Sequence, residues 1–277
     1  MDKDFGSAKS PQTREGLQYH IRCKPGDVSR YVLLPGDPDR VQKIASFWDK
    51  SWLVARNREF VTYSGVYKNV SISATSTGIG GPSAAIVVEE LLRIGADTFI
   101  RVGTTGSIQD FIHVGDLIIS MGSVRLDGAS RQYVRIEYPA VAHFEVVLAL
   151  IEAAESLGVR YHVGITASTD SFYTGQGRPG FRGYFQSWMK NIIPDLRAAY
   201  VLNLEMESAT IFTLANVYGV RAGGVFAVIA DRVRDEFVEG IGVDNAIRVA
   251  NESVRILSEW DLLKGEKKNF YPSLIRG

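Results

Sequence analysis

The sequence predicts a single α/β domain around a mostly parallel or mixed sheet. Short apolar runs rich in β-branched and aromatic residues alternate with helical patterns along most of the chain, and the joins between them are short. Polar clusters also recur directly after the strand segments, where sheets of this kind bind ligands. No internal repeat, low-complexity tract or linker divides the 277 residues.

Residues 1–30 are polar, with Lys9, Pro11, Arg14 and Pro25-Gly26, and read as an N-terminal arm ahead of a domain at 31–277. Tyr31-Val-Leu-Leu is a buried strand stopped by Pro35-Gly36. Asp37-Pro38 caps a helix to about Phe47, with proline at its first position. Segments near 52–63 and 66–76 read as strands. Gly78-Ile-Gly-Gly-Pro-Ser83 breaks the pattern before a helix at 84–94, closed by Gly95. A strand at 98–102 leads into Gly103-Thr-Thr-Gly106, and another covers 116–120. A helix at 144–157 precedes a strand at 161–167. The stretch 179–199 reads as partly helical, interrupted by Pro194. A strand at 201–204, a helix at 207–218, a strand at 224–230 and a helix at 245–263 complete the chain.

Composition narrows the function classes. Lys+Arg and Asp+Glu both number 31, so the net charge is zero and the basic excess of a nucleic-acid or membrane-surface protein is missing. Any bound anion is then held by local arginines. The lone cysteine, Cys23, fits a reducing cytoplasm, and the N-terminus carries no apolar signal core. Four scattered histidines lack metal-ligand spacing, and G-x-S-x-G and H-E-x-x-H motifs are absent.

The clusters carry chemistry of another kind. Gln176-x-Arg178 offers an amide acceptor, amide donors and a guanidinium, which together match the carbonyl–imide–carbonyl edge of uracil. The same arginine would stabilise a ring leaving as an anion. A polar loop with an exposed arginine satisfies those residues equally. Pro35-Gly-Asp-Pro-Asp-Arg40 joins a strand to a helix N-terminus, a geometry that favours anions, with Arg40 in the first turn; a capped helix with a surface arginine is the alternative. Arg101-Val-Gly-Thr-Thr-Gly106 puts a guanidinium inside an apolar strand, where it needs a counter-charge or an anionic ligand. Asn203-Leu-Glu-Met-Glu-Ser208 sets Glu205 and Glu207 where a strand becomes a helix. Carboxylates there grip paired sugar hydroxyls, or simply complement the helix dipole. Ile229-Ala-Asp-Arg232 follows a late strand and reads as a lid or ring-contacting segment, or as a solvated charged loop.

Taken together, Leu34-Pro-Gly-Asp-Pro-Asp-Arg40, Ser76-Thr-Gly-Ile-Gly-Gly-Pro-Ser83, Arg101-Val-Gly-Thr-Thr-Gly-Ser107, Val124-Arg-Leu-Asp-Gly-Ala-Ser130 and Asn203-Leu-Glu-Met-Glu-Ser208 resemble the nucleoside phosphorylase-I family. Phe172-x-x-x-Gln176-x-Arg178 resembles its uridine-cleaving members. The resemblance runs in order from about Tyr31 to the terminal helix. It implies a three-layer α/β/α fold with a mixed central sheet and a pentosyl transfer: uridine plus inorganic phosphate giving uracil and ribose 1-phosphate, with no required cofactor. It implies Gly36, Arg40, Arg101 and Thr104 as phosphate ligands, with Arg58 reaching a neighbouring subunit's phosphate. It implies Met206 and Glu207 on the ribose, with His20 supplied by the partner chain. Phe172, Gln176 and Arg178 would hold the base, with Ile229 and Arg232 closing that side; Arg101, Gln176 and Arg178 would carry the catalysis. It further implies a hexamer built as a trimer of dimers, and in some members a monovalent cation such as K+ at the dimer interface, at positions matching Glu59, Ile79 and Ser83.

Asp231 departs from the uridine-cleaving pattern. Purine-specific members keep an aspartate there as an acid, so this chain combines a uracil-reading pair with a purine-type carboxylate; pairing of Asp231 with Arg232 or Arg234 is the other reading. The rival functions are a purine or broad-specificity nucleoside phosphorylase, a nucleosidase and a non-enzymatic nucleoside-binding module. Arg40, Arg58 and Arg101 oppose the last two, since neither needs a phosphate site.

Overall fold

The computed structural model describes residues 7–271, 273 and 274. Its eleven strands form one mixed sheet. Strands β1 (Tyr31–Leu34), β4 (Val70–Thr75) and β5 (Thr98–Ser107) run parallel, and β2 (Lys50–Asn57) and β3 (Phe60–Tyr67) extend that wing as antiparallel hairpins. Strand β10 (Arg221–Asp231) lies parallel to β5 and antiparallel to β6 (Leu117–Leu126). Strand β6 is followed by β8 (Tyr161–Thr169) and β9 (Val201–Glu205), all parallel to one another. Strand β9 then returns to β5, so β5, β10, β6, β8 and β9 close a ring. The short β7 (Ala140–Val141) and β11 (Glu236–Phe237) sit on β6 and β10.

Alternation along the strands creates two helix-binding faces. Leu33, Ile100, Val102, Leu117, Ile119, Val225 and Ala227 pack with α1 (Pro38–Ala45), α3 (Phe144–Ser156) and α6 (Val243–Lys264). Val32, Leu34 and Phe99 pack with α2 (Gly81–Arg93) and α5 (Ser208–Tyr218). Phe226, Val228, Ile118, Leu202 and Ile112 form a separate cluster among the ring strands. The three-layer arrangement expected from the sequence is therefore present. Each fully buried Leu, Ile or Phe in these layers contributes roughly 1.5–3 kcal/mol.

Several boundaries differ from the sequence reading. The expected strands at 52–63 and 66–76 are three strands, divided at Arg58-Glu59 and Lys68-Asn69. Arg58, Lys68 and Asn69 take positive φ (54°, 46° and 66°), and no glycine marks either turn. Helix α2 begins at Gly81 rather than 84, because Gly80 at φ 91° makes the turn and Pro82 needs no N–H so near a helix start. Strand β5 continues past 102 through Gly103-Thr-Thr-Gly106, carried on by pairing to β10. Pro194 does not interrupt a helix: it lies in the first turn of α4 (Ile192–Ala198), where no intrahelical donor is lost. In residues 7–30, Ile21 and Cys23 are fully buried, and Glu90 of α2 accepts the backbone N–H of Ile21 at 2.8 Å. Burial pushes the Cys23 thiol up to about 12.

Candidate active site

One cavity of about 1180 Å³ gathers the polar clusters. Topology explains the convergence. Strands β5 and β9 are antiparallel but pair only at their carboxyl ends, Gly106 with Leu204 and Ser107 with Asn203. The ends of two oppositely directed strand sets therefore meet at one place, and the segments following β1, β4, β8, β9 and β10 all open onto it.

Arg101 forms the floor. Its neighbours Ile100 and Val102 face the α1/α3/α6 layer, so the guanidinium emerges on the opposite side, only 5% exposed. Nη1 donates to the Leu34 carbonyl and to Thr77 Oγ1, both at 3.2 Å. Nη2 donates to Glu207 Oε2 at 2.5 Å. Nε has no partner among the described residues. Gly36 is needed here for close approach: a Cβ on it would lie 3.3 Å from both terminal nitrogens of Arg101. Asp37 accepts the Asp39 N–H at 2.9 Å and starts α1, which brings Arg40 over the same floor. Burial and then the charge of Arg101 lower the pKa of Arg40, so two guanidiniums meet where an anion would relieve both.

The carboxylates stand opposite. Glu207 is 4% exposed and accepts the Gly80 N–H at 2.6 Å as well as Arg101. Glu205 accepts the N–H groups of Glu207 and Ser208, at 2.9 Å and 3.0 Å, and the Ser168 hydroxyl. Its role is to fix the turn into α5; burial, then the nearby Glu207, raises its pKa. Met206 lies half-buried on the cavity wall between the two acids. Both threonines singled out in the sequence line the cavity, and the Thr105 hydroxyl is engaged in donating to the Leu204 carbonyl.

The third wall carries Gln176 and Arg178. Gln176 is 3% exposed; its amide nitrogen donates to Thr169 Oγ1 at 3.1 Å and its amide oxygen accepts from Arg178 Nη1 at 2.7 Å. Arg178 also donates to the Phe172 carbonyl at 2.7 Å and lies 4.1 Å above the Phe172 ring. Arg232 Nη1 donates to the Gln176 carbonyl at 3.0 Å. Burial, then Arg232, pulls Arg178 down to about 10, and burial lowers Arg232. Among the described residues neither arginine forms a salt bridge, so this wall holds positive charge for a ligand. Ile229 completes it.

Some sequence candidates lie elsewhere. His20 is outside this cavity, with Nδ1 2.6 Å from Glu90, beside a second hollow lined by Lys9, Arg93 and Tyr133. Arg58 is exposed in the β2–β3 turn over the Tyr19 ring. Glu59 and Ile79 edge the main cavity, while the Ser83 hydroxyl donates to the Thr77 carbonyl at 2.5 Å. No cluster of three or more His, Cys, Asp or Glu suited to a metal occurs among the described residues. Asp231 pairs with Arg234 at 2.6 Å. The run 124–130, one of the motifs that carry the family resemblance, serves structure: Arg125 donates to the carbonyls of Ser130, Val134, Arg135 and Tyr138 and pins that loop. Thr77 and Thr169 fall within the polar clusters that follow strands, but the sequence assigned them no role; the structure sets their hydroxyls on Arg101 and Gln176.

An anion floor, an acidic edge for hydroxyls and an amide–guanidinium wall for a flat ring define a protein that handles a glycosidic ring compound together with an oxyanion. A sequence profile of the Phosphorylase superfamily matches residues 30–259, and the chain belongs to that superfamily. It is 66% identical over 261 residues to the uridine phosphorylase of Thermococcus kodakarensis, covering 94% of each chain. It is 43% identical over 246 residues to the uridine phosphorylase of Escherichia coli strain K12, covering 86% of this chain and 97% of that one. A guanosine phosphorylase of Halorubrum lacusprofundi is 38% identical over 251 residues, covering 87% of this chain and 99% of its own.

Proposed function

We propose that this protein catalyses the reversible phosphorolysis of uridine to uracil and ribose 1-phosphate. The observation that carries the reading is the paired wall of Gln176 and Arg178, linked at 2.7 Å and facing the Arg101–Glu207 floor across one cavity. The names of the relatives at 66% and 43% identity support it.

In this reading phosphate lies against Gly36, Arg40, Arg101 and Thr104, and takes up the free Nε of Arg101. Ribose hydroxyls donate to Glu207, and Met206 packs on the sugar. The ring lies near Phe172 and Ile229, with its polar edge on Gln176 and Arg178. As the C–N bond loosens, C1′ gains positive character and the uracil gains negative charge. Arg178, with Arg232 behind it, stabilises that charge while phosphate oxygen attacks C1′. The protein supplies placement and preorganised charge and needs no nucleophile of its own.

His20 and Arg58 complete a neighbouring subunit's site in this proposal, since both are displaced from their own cavity. The assembly would be a hexamer built as a trimer of dimers, with any monovalent cation at Glu59, Ile79 and Ser83. A cytoplasmic setting is supported by the single unpaired cysteine; no helix among the described residues is long and apolar enough to cross a membrane.

The test is uridine cleavage by purified protein with and without phosphate, identifying the sugar product. Phosphate-dependent ribose 1-phosphate is expected. Free ribose released without phosphate would refute phosphorolysis, and cleavage of inosine but not uridine would refute the base assignment.

A further inference from the structure

Asp231 ends β10 at the cavity wall and is 1% exposed. A carboxylate buried there must have its lone pairs satisfied. Oδ1 accepts the backbone N–H groups of Val233 and Arg234 at 2.9 Å and 3.1 Å, closing a tight turn. Oδ2 accepts from Arg234 Nη1 at 2.6 Å. Burial opposes the charge, yet Arg234 and the two backbone donors outweigh it and hold the carboxyl below its ordinary range.

Arg234 carries the connection further. Its Nη2 donates to the Asp110 carbonyl at 2.7 Å, and the Asp110 carboxylate accepts from Arg197 of α4 at 2.8 Å. The turn is thereby tied to two elements outside the cavity. Arg232 lies inside that turn and points the other way. Its backbone N–H donates to the Ser107 carbonyl at 3.0 Å, and its side chain donates to the Gln176 carbonyl at 3.0 Å. Where Arg232 emerges is set by the turn that Asp231 closes.

We propose that Asp231 and Arg234 form a clamp that aims Arg232 at the Gln176 loop, which makes Arg234 a positioning residue for recognition of the base. This rests on the functional reading above, in which Gln176 and Arg232 face the uracil. The clamp also occupies Asp231: with both oxygens engaged, it has no proton to offer a purine ring.

Two substitutions separate the parts. Arg234→Met removes the guanidinium and leaves the Asp231 carboxylate with its two backbone donors but without its outer brace. Asp231→Asn keeps an oxygen for the two N–H donors and removes the charge. Each is expected to raise KM for uridine about fivefold while kcat stays within about twofold, because the pair of buried Asp231 with partly exposed Arg234 acts on placement of the base and not on the reacting bond. The double variant should be no worse than either single, and Arg234→Met should add nothing to Arg232→Ala. Arg234→Lys should recover part of the loss. Hydrogen exchange at the Val233 and Arg234 amides should quicken in Arg234→Met, a readout that needs no substrate. An unchanged KM in both single variants, or full additivity with Arg232→Ala, would overturn the clamp. So would selective loss of inosine cleavage in Asp231→Asn alone, which would make Asp231 an acid. If the unaltered protein does not cleave uridine, the functional reading fails, and the exchange experiment still decides the clamp: unchanged protection at 233 and 234 overturns it.

Discussion

Replacing Arg101 by methionine should produce two losses that a second substitution separates. Arg101 and Glu207 have side chains 6% and 4% exposed and lie 2.5 Å apart. Removing the guanidinium leaves Glu207 buried with the Gly80 N–H as its remaining hydrogen-bond donor. Breaking a buried pair from one side costs about 3–5 kcal/mol, mostly the penalty of the stranded charge. The carbonyl of Leu34 and the hydroxyl of Thr77 lose a donor as well. Adding Glu207→Gln removes the stranded charge, so the double variant Arg101→Met/Glu207→Gln should recover most of that stability. Activity should follow a different course. In the proposed mechanism Arg101 faces the developing phosphate–sugar bond, and losing such a donor lowers kcat by about 10²–10³. Restoring charge balance leaves that donor absent, so the double variant stays inactive. The assay is urea unfolding at one protein concentration, read beside uridine turnover at saturating phosphate. Phosphate at about 100 times its Kd should stabilise the unaltered protein by about 2.7 kcal/mol and do little for either variant. An unchanged unfolding midpoint in Arg101→Met would refute the buried pair as described. Recovery of stability together with turnover in the double variant would refute the phosphate role.

Arg178→Lys should lose nearly as much kcat/KM for uridine as Arg178→Ala, about 10²-fold or more. One Arg178 nitrogen already serves both Phe172 and Gln176, and an ammonium cannot keep those two bonds while presenting a planar edge to the base; a lysine variant near unaltered activity would contradict this. Away from the cavity, Asp261 accepts from Arg221, Lys264 and the Tyr31 hydroxyl, and although burial opposes its charge these donors hold its carboxyl well below the ordinary 3.8. A carboxyl depressed in the folded state adds stability above its unfolded pKa and loses it as pH falls toward the folded one. Asp261→Asn should therefore cost about 2–3 kcal/mol at neutral pH, with the deficit shrinking as pH falls below about 4; a deficit constant from pH 7 to pH 3 would rule out this linkage.

The chain's alternation of strands and helices and the clusters following strands were legible locally, because each depends on side-chain period and turn chemistry within a few residues; which faces Val32, Leu33 and Leu34 present came from the structure. Arg101 stood out by residue type alone, since a guanidinium in an apolar strand has few inexpensive explanations; Gly36, Gln176, Arg178 and Glu207 each had an ordinary structural reading, and the resemblance to a phosphorylase family weighted them toward a site. The divisions at Arg58 and Lys68-Asn69 were not legible, because no glycine marks either turn and Arg58 and Lys68, which usually avoid positive φ, are held there by strand pairing. Thr77 and Thr169 looked like ordinary strand-end residues until the fold set their hydroxyls against Arg101 and Gln176.

The sequence by itself determined an α/β chain of balanced charge with its polar chemistry at strand ends. Only the tertiary structure decided which groups meet. Whether Arg101 is paired with Glu207, 106 positions away, and whether Asp231 is bound to Arg234 and not to Arg232, depend on the ring closure of β5 with β9 and on a turn tied to Asp110. Hydrophobic period is a short-range signal that fixes elements; the partner of a buried charge is fixed by packing between elements remote in sequence, where desolvation leaves each charge one low-energy arrangement.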